Sequence, residues 1–199
     1  MTERRLALGG VLAPIVFIVA LTIFSLLTPN YDNLTNAISE LGVLGAPYAL
    51  GWNVLGFMLV GLLVTAFAWG LHLGMRPASG TRIIPWLVGM TGIGFAGLGI
   101  FPAETGLRPS TSTTLHFVVV AVSYLPFILV AFIYAATMRT DIYWKRWISF
   151  SIAMGVLAIA SFFIPRTIPI GLSQRLGLGA YFLWLFVMGF ALLKKPKPS

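Results

Sequence analysis

Residues 6–28 read LALGGVLAPIVFIVALTIFSLLT, a run without a charged side chain. About 20 consecutive apolar residues carry a helix across the hydrocarbon core of a bilayer. This segment therefore makes lipid, rather than water, the solvent against which the chain is read. With Arg4 and Arg5 before it, the run also has the charged flank of a secretory leader. It is too long for the apolar stretch of a leader and no small-x-small cleavage site follows, so it is expected to remain as a first membrane helix.

Five more segments have the same character, at about 50–75, 83–101, 113–138, 144–164 and 176–193. Of the 199 residues, 58% are hydrophobic and 9% are charged, too little charge to cover a soluble domain of this size. The segments are longer than barrel strands and do not alternate in polarity. In lipid only helices and closed barrels satisfy every backbone group. The expected fold is all-α: one domain, 1–199, an integral membrane bundle of six transmembrane helices. The net charge of +8 raises nucleic acid as a partner. The basic residues sit in short clusters between apolar spans, which leaves no basic, aromatic-interleaved surface and excludes it.

The same clusters give an orientation. Arg4, Arg5, Arg76, Arg82, Arg139, Lys145, Arg146, Lys194, Lys195 and Lys197 lie at one set of helix ends, and only Arg108, Arg166 and Arg175 at the other. By the positive-inside rule both termini are cytoplasmic in a multi-pass cell-membrane protein, and the loops at 29–49, 102–112 and 165–175 face outward. The basic inner ends, with Tyr143, Trp144 and Trp147 as an aromatic belt, imply membrane lipids as partners. Anionic headgroups at the cytoplasmic face are worth about 1 kcal/mol per basic residue. Oligomeric state is not legible.

Prolines mark three exits: Thr28-Pro29-Asn30, Phe101-Pro102-Ala103 and Ile164-Pro165-Arg166. A helix does not continue cheaply through them. Gly89, Gly92, Gly94, Gly97 and Gly99 crowd the third span. Their spacing mimics a dinucleotide loop, but no strand precedes it. Small residues here let neighbouring helices approach, which suggests a central place for the span. Pro126 is expected to kink the fourth.

Candidate chemistry gathers on the outward side. Three of the five acids, Asp32, Glu40 and Glu104, fall there, with Ser39, Asn53, His116, Gln174, Arg108, Arg166 and Arg175. In Tyr31–Gly42 the residues Leu34, Ile38 and Leu41 recur at helical spacing. Asp32 or Asn33 is placed to cap a short amphipathic helix at the outer interface, and Gly42 to end it. The competing reading is a loop that covers the bundle. His116 shares a helix face with Ser123, seven residues on. His72 belongs to the opposite membrane face. With no cysteine and one usable histidine, a multi-histidine or cysteine zinc site is excluded, and a carboxylate-rich site would suit a hard cation. The cofactor is otherwise unknown. No carboxylate, histidine, lysine or arginine lies mid-span, which ranks ion pumping low.

The stretch Ile38-Ser39-Glu40-Leu41-Gly42, followed by Asn53, then Phe101-Pro102-x-Glu104 with Leu115-His116, then Gln174-Arg175, resembles the motifs of a bacterial and archaeal membrane family, domain of unknown function 998. The acidic position after Phe-Pro is often aspartate in that family; Glu104 keeps the charge and changes the reach. The layout is also distantly similar to the six-helix Frag/DRAM/Sfk family, which implies lipid remodelling or membrane organisation rather than a reaction. Three readings follow. In the first, the outward residues form a hydrogen-bonded polar cap that binds a lipid headgroup, with Arg108, Arg166 and Arg175 suited to phosphate. In the second, the protein is a membrane-embedded lipid hydrolase or transferase. Glu104 and His116 are then acid and base, with Ser39 or water as nucleophile. In the third it is an accessory subunit of a larger complex. Convergence of Glu40, Glu104 and His116 beside a lipid-accessible cavity separates the second from the rest.

Overall fold

The computed structural model describes residues 2–75, 82–104, 110–165 and 167–196. These residues form helices and turns, with no strand among them. Six long helices carry the fold: α1 Thr2–Leu27, α2 Ala49–Gly74, α3 Ile83–Ile100, α4 Thr111–Thr137, α5 Ile148–Phe162 and α6 Ile170–Lys194. A 3-10 turn, Trp144–Trp147, leads into α5. All six, α5 taken with its leading turn, are long and apolar enough to cross a membrane. α1, α3 and α5 stop just before Pro29, Pro102 and the Pro165 turn. α4 runs unbroken through Pro126.

Each helix packs on its neighbour in sequence, and α6 returns to α1, so the bundle is a closed ring. The alternation puts both chain termini at one end, the terminal end, where Arg4 donates to the Lys195 carbonyl and Lys195 to the Gly74 carbonyl. The opposite, cap end holds the long loops, where Leu44 N–H donates to Ala103 O at 3.3 Å and Leu172 N–H to Leu34 O at 3.0 Å.

Lipid supplies no hydrophobic force between helices, so packing itself must hold them together. Aromatic rings fill the ring's interior. Phe17 of α1 stacks on Phe182 of α6 at 4.3 Å and meets Trp52 of α2 at 5.8 Å. Phe95 of α3 stacks on Tyr181 at 5.8 Å, and Phe127 of α4 meets Trp184 at 6.0 Å. Such pairs add about 0.5–1.5 kcal/mol each beyond burial. α3 takes a ring position between α2 and α4, not a central one. Its small residues serve both contacts: Gly92 lies against Gly61 and Thr65, and Gly94 against the backbone of Ser123.

α2 departs from regular geometry. Asn53–Leu59 is a π segment, a widened turn of the kind frequent at functional sites. α6 starts at Ile170, six residues before its apolar run, so Gln174 and Arg175 stand on its first turns rather than in a loop. The short helix of the first long loop is present as a single 3-10 turn, Ile38–Gly42. Side-chain oxygens of Asp32, Asn36 and Glu40 capture the N–H groups that a longer helix would need, which shortens it.

Candidate functional site

The cap end is built from short polar side chains holding backbone. Asp32 Oδ1 accepts the N–H groups of Leu34 at 2.7 Å and Thr35 at 3.0 Å. These two bonds, reinforced by the nearby Arg175 charge, hold the exposed Asp32 carboxyl below the usual carboxylate range. Asn36 Oδ1 accepts Asp32 N–H at 2.9 Å, and its amide donates to Glu40 Oε2 at 2.6 Å. Glu40 Oε1 accepts Ala37 N–H at 2.7 Å, as an N3 glutamate does in a capping box. Glu40 is thus occupied by its own loop.

α6 clamps this loop from the other side. Gln174 Oε1 accepts Ile38 N–H at 2.9 Å. Arg175 donates to Gly171 O at 3.0 Å and Asn36 O at 3.2 Å through Nη1, and to Asn33 Oδ1 at 2.7 Å and Tyr31 Oη at 2.9 Å through Nη2. Burial raises the Tyr31 hydroxyl pKa against the opposing pull of Arg175, so Tyr31 stays protonated and donates a hydrogen bond to Ala37 O at 3.2 Å. A Cβ at Gly171 would strike the Leu34 and Asn36 carbonyls, so the close approach of α6 to the loop requires glycine there. From α2, the buried Asn53 amide donates to Gly42 O at 2.9 Å, and a Cβ on Gly42 would collide with Asn53 Oδ1. That Oδ1 is buried without a hydrogen-bond partner among the described residues.

Beneath the cap lies a cavity of about 170 Å³. Phe57, Phe95, Leu98 and Leu178 give it an apolar floor, and Ser39, His116, Ser123, Ser161, Ser173 and Gln174 supply its polar groups. No charged side chain is among the described residues that line it. It reaches the outside of the bundle at the exposed Val120 and Phe162, where lipid would have access. Local bonding sets what each polar group offers. His116 is buried, and its Nδ1 lies 2.8 Å from Phe101 O. A carbonyl only accepts, so Nδ1 carries the proton; in the neutral ring that burial without a carboxylate partner favours, Nε2 is left as an acceptor. Gln174 spends Oε1 on Ile38, which leaves its NH2 as a donor. The Ser39 hydroxyl has no hydrogen bond among the described residues, whereas Ser123 and Ser161 donate back to Val120 O and Ala158 O.

The candidates therefore divide. Ser39, His116 and Gln174 meet at the cavity. Asp32, Glu40, Asn53 and Arg175 hold the cap together and do not line it. Glu104 is exposed, its N–H donates to Thr113 Oγ1 at 2.9 Å, and its carboxylate is not hydrogen-bonded to His116. Glu40, Glu104 and His116 do not converge. Arg175, with four donors engaged, is a clamp rather than a phosphate receptor. Arg108 and Arg166 lie outside the described residues. His72 stacks on Trp69 at 5.0 Å, towards the terminal end. No group of three or more His, Asp or Glu side chains comes together among the described residues.

Sequence reading missed the π segment that carries Asn53 and Phe57. It also missed Tyr31 and Asn33 as partners of Arg175, since chain separations of 144 and 142 residues leave no local spacing to read. Gly177, inside α6, is a further case: a Cβ there would strike the Tyr124 hydroxyl, a contact that only the packed helices reveal.

Among known proteins, a family model described as "Protein of unknown function (DUF998)" matches residues 11–191. No curated protein and no solved structure matches the chain. A match over nearly the whole ring of helices makes this chain a multi-pass membrane protein of the DUF998 family.

Proposed function

We propose that the protein binds a neutral-headed amphiphile from the membrane, with the polar group held in the cavity under the cap. One observation carries this reading: a single cavity brings together the Ser39 hydroxyl, the Gln174 amide donor and the His116 acceptor above an aromatic and aliphatic floor. Those three groups complement a hydroxyl, ester or amide. A charged head would lose its hydration there without gaining a counter-charge, which is costly. The volume suits a head or a ring rather than a whole lipid, so the tail would leave past Val120 and Phe162. A membrane-organising role, and the distant likeness to the Frag/DRAM/Sfk layout, fit such a lipid-facing site. The positive-inside bias supports a cap end that faces outward and cytoplasmic termini.

The test is lipid profiling of the purified protein. Wild type should carry an enriched neutral amphiphile. L98W, which fills the floor, should lose it, and S39A with Q174A should retain less of it. An identical lipid profile for wild type and L98W would refute the reading.

The same geometry favours one catalytic alternative. Phe101 O orients the His116 imidazole so that Nε2 is an available base in a cavity that Ser39 also lines, and the two would have to close to hydrogen-bond distance for His116 to activate the serine. On this reading His116 takes the Ser39 proton as the hydroxyl attacks a lipid ester carbonyl. The ester C–O bond breaks and the alcohol leaves with that proton, water then hydrolyses the acyl-serine, and Glu104 takes no part. Ester-lipid turnover that disappears in both S39A and H116A would support it, and binding without turnover would remove it.

A further inference from the structure

The terminal end holds a second groove, of about 510 Å³, between the Trp144–Trp147 turn and the last turns of α6. Phe186, Val187 and Phe190 form its apolar wall, and Arg146 and Lys194 stand at its rim. No acidic side chain is among the described residues that line it. The one carboxylate nearby in sequence is occupied: Asp141 Oδ1 accepts the N–H groups of Tyr143 at 2.9 Å and Trp144 at 3.0 Å.

Arg146 is held in place without being neutralised. Its guanidinium carbon lies 4.1 Å above the Tyr143 ring and 5.9 Å from Trp147. Its Nε donates to Tyr143 O at 3.0 Å, and both Nη groups lack a partner among the described residues. The Tyr143 hydroxyl in turn donates to Ala191 O, which ties the turn to α6 and fixes the two sides of the groove. Lys194, exposed, has no hydrogen bond among the described residues, whereas its neighbour Lys195 is directed to the Gly74 carbonyl. Trp144 and Lys194 are the terminal residues of their spans. The groove therefore runs from headgroup depth down into the apolar zone, with cations at the top and aromatic rings below.

We propose that this groove seats one anionic phospholipid. Its phosphate lies between Arg146 and Lys194, and one acyl chain lies along Phe186 and Phe190. Two cations with no carboxylate beside them favour a lipid of net negative charge over a zwitterionic one, whose ammonium would find no partner. Arginine's planar fork suits the phosphate oxygens.

The test uses the full-length protein in detergent, titrated with phosphatidylglycerol or phosphatidylcholine and weighed with its bound lipid by native mass spectrometry. One phosphatidylglycerol should be retained in preference to phosphatidylcholine. R146A and K194A should each weaken that retention by about fivefold, the worth of one basic residue near a membrane surface. V187W, which blocks the wall and keeps both charges, should weaken it too. R139A removes a cation from the same end but outside the groove, and should leave retention unchanged. Equal retention of the two lipids, or a loss in R139A as large as that in R146A, would overturn the proposal in favour of diffuse attraction.

Discussion

Arg175 shows how a residue's type and its task can diverge. An arginine beside a membrane invites a phosphate, yet four of its five donors reach Gly171 O, Asn36 O, Asn33 Oδ1 and Tyr31 Oη. Removing it strands these acceptors and frees the loop from α6. R175A should lower stability by about 2–4 kcal/mol, from the loss of several hydrogen bonds to a charged donor. R175K should recover little, because a single ammonium cannot span acceptors that the planar fork bridges. Thermal unfolding in detergent reads both, and an R175K protein as stable as wild type would show that charge alone holds the cap. His116 diverges in the opposite direction. Its bond to Phe101 O looks structural, but that bond selects the tautomer that leaves Nε2 available to the cavity.

At the scale of the element, close approach decides which glycines are required. Gly94 of α3 has Ser123 N at 2.5 Å from where a Cβ would sit, whereas Gly89 meets only Ala68 Cβ at 3.7 Å, an ordinary contact. G94A should cost about 1–3 kcal/mol, because α3 and α4 must separate to admit it. G89A should be neutral or stabilising, since alanine is the better helix former by about 1 kcal/mol. Unfolding midpoints of the two variants, compared in one detergent, test the difference. Equal losses would mean that helix geometry, not contact, sets the requirement. The same contact bears on the cavity, since Ser123 and His116 lie on the α4 face that Gly94 positions. α2 contributes through irregularity: its π segment begins at Asn53, which holds Gly42, and includes Phe57, which floors the cavity.

At the scale of the whole molecule, ring closure of α6 on α1 joins the end of the chain to its beginning. The cap depends on that closure, because Gln174 and Arg175 reach back to residues 31–38. The ring also makes the two ends unlike: a cap of polar and acidic side chains clamped by Arg175 over a cavity, and a terminal end rich in cations and aromatic rings. The proposed orientation predicts a labelling pattern, and the absence of cysteine makes the experiment clean. T35C, on the exposed cap loop, should react with a membrane-impermeant maleimide on intact cells. K145C should react only after permeabilisation. The reverse pattern would invert the protein in the membrane.

The apolar runs alone determine six helices and their order, since the length needed to cross a bilayer and the polarity of a segment are both local properties. Sequence also places the polar residues at the correct end, because each loop belongs to the end at which its helix exits. Which of those residues face a ligand is another matter. Ser39 and Glu40 are adjacent in the chain, yet one lines the cavity and the other caps its own turn. Glu104 and His116 are twelve residues apart and do not meet. Those outcomes depend on hydrogen bonds between residues such as Ile38 and Gln174, 136 positions apart. Such bonds exist only once the ring has closed, so only the tertiary structure could separate the clamp from the cavity.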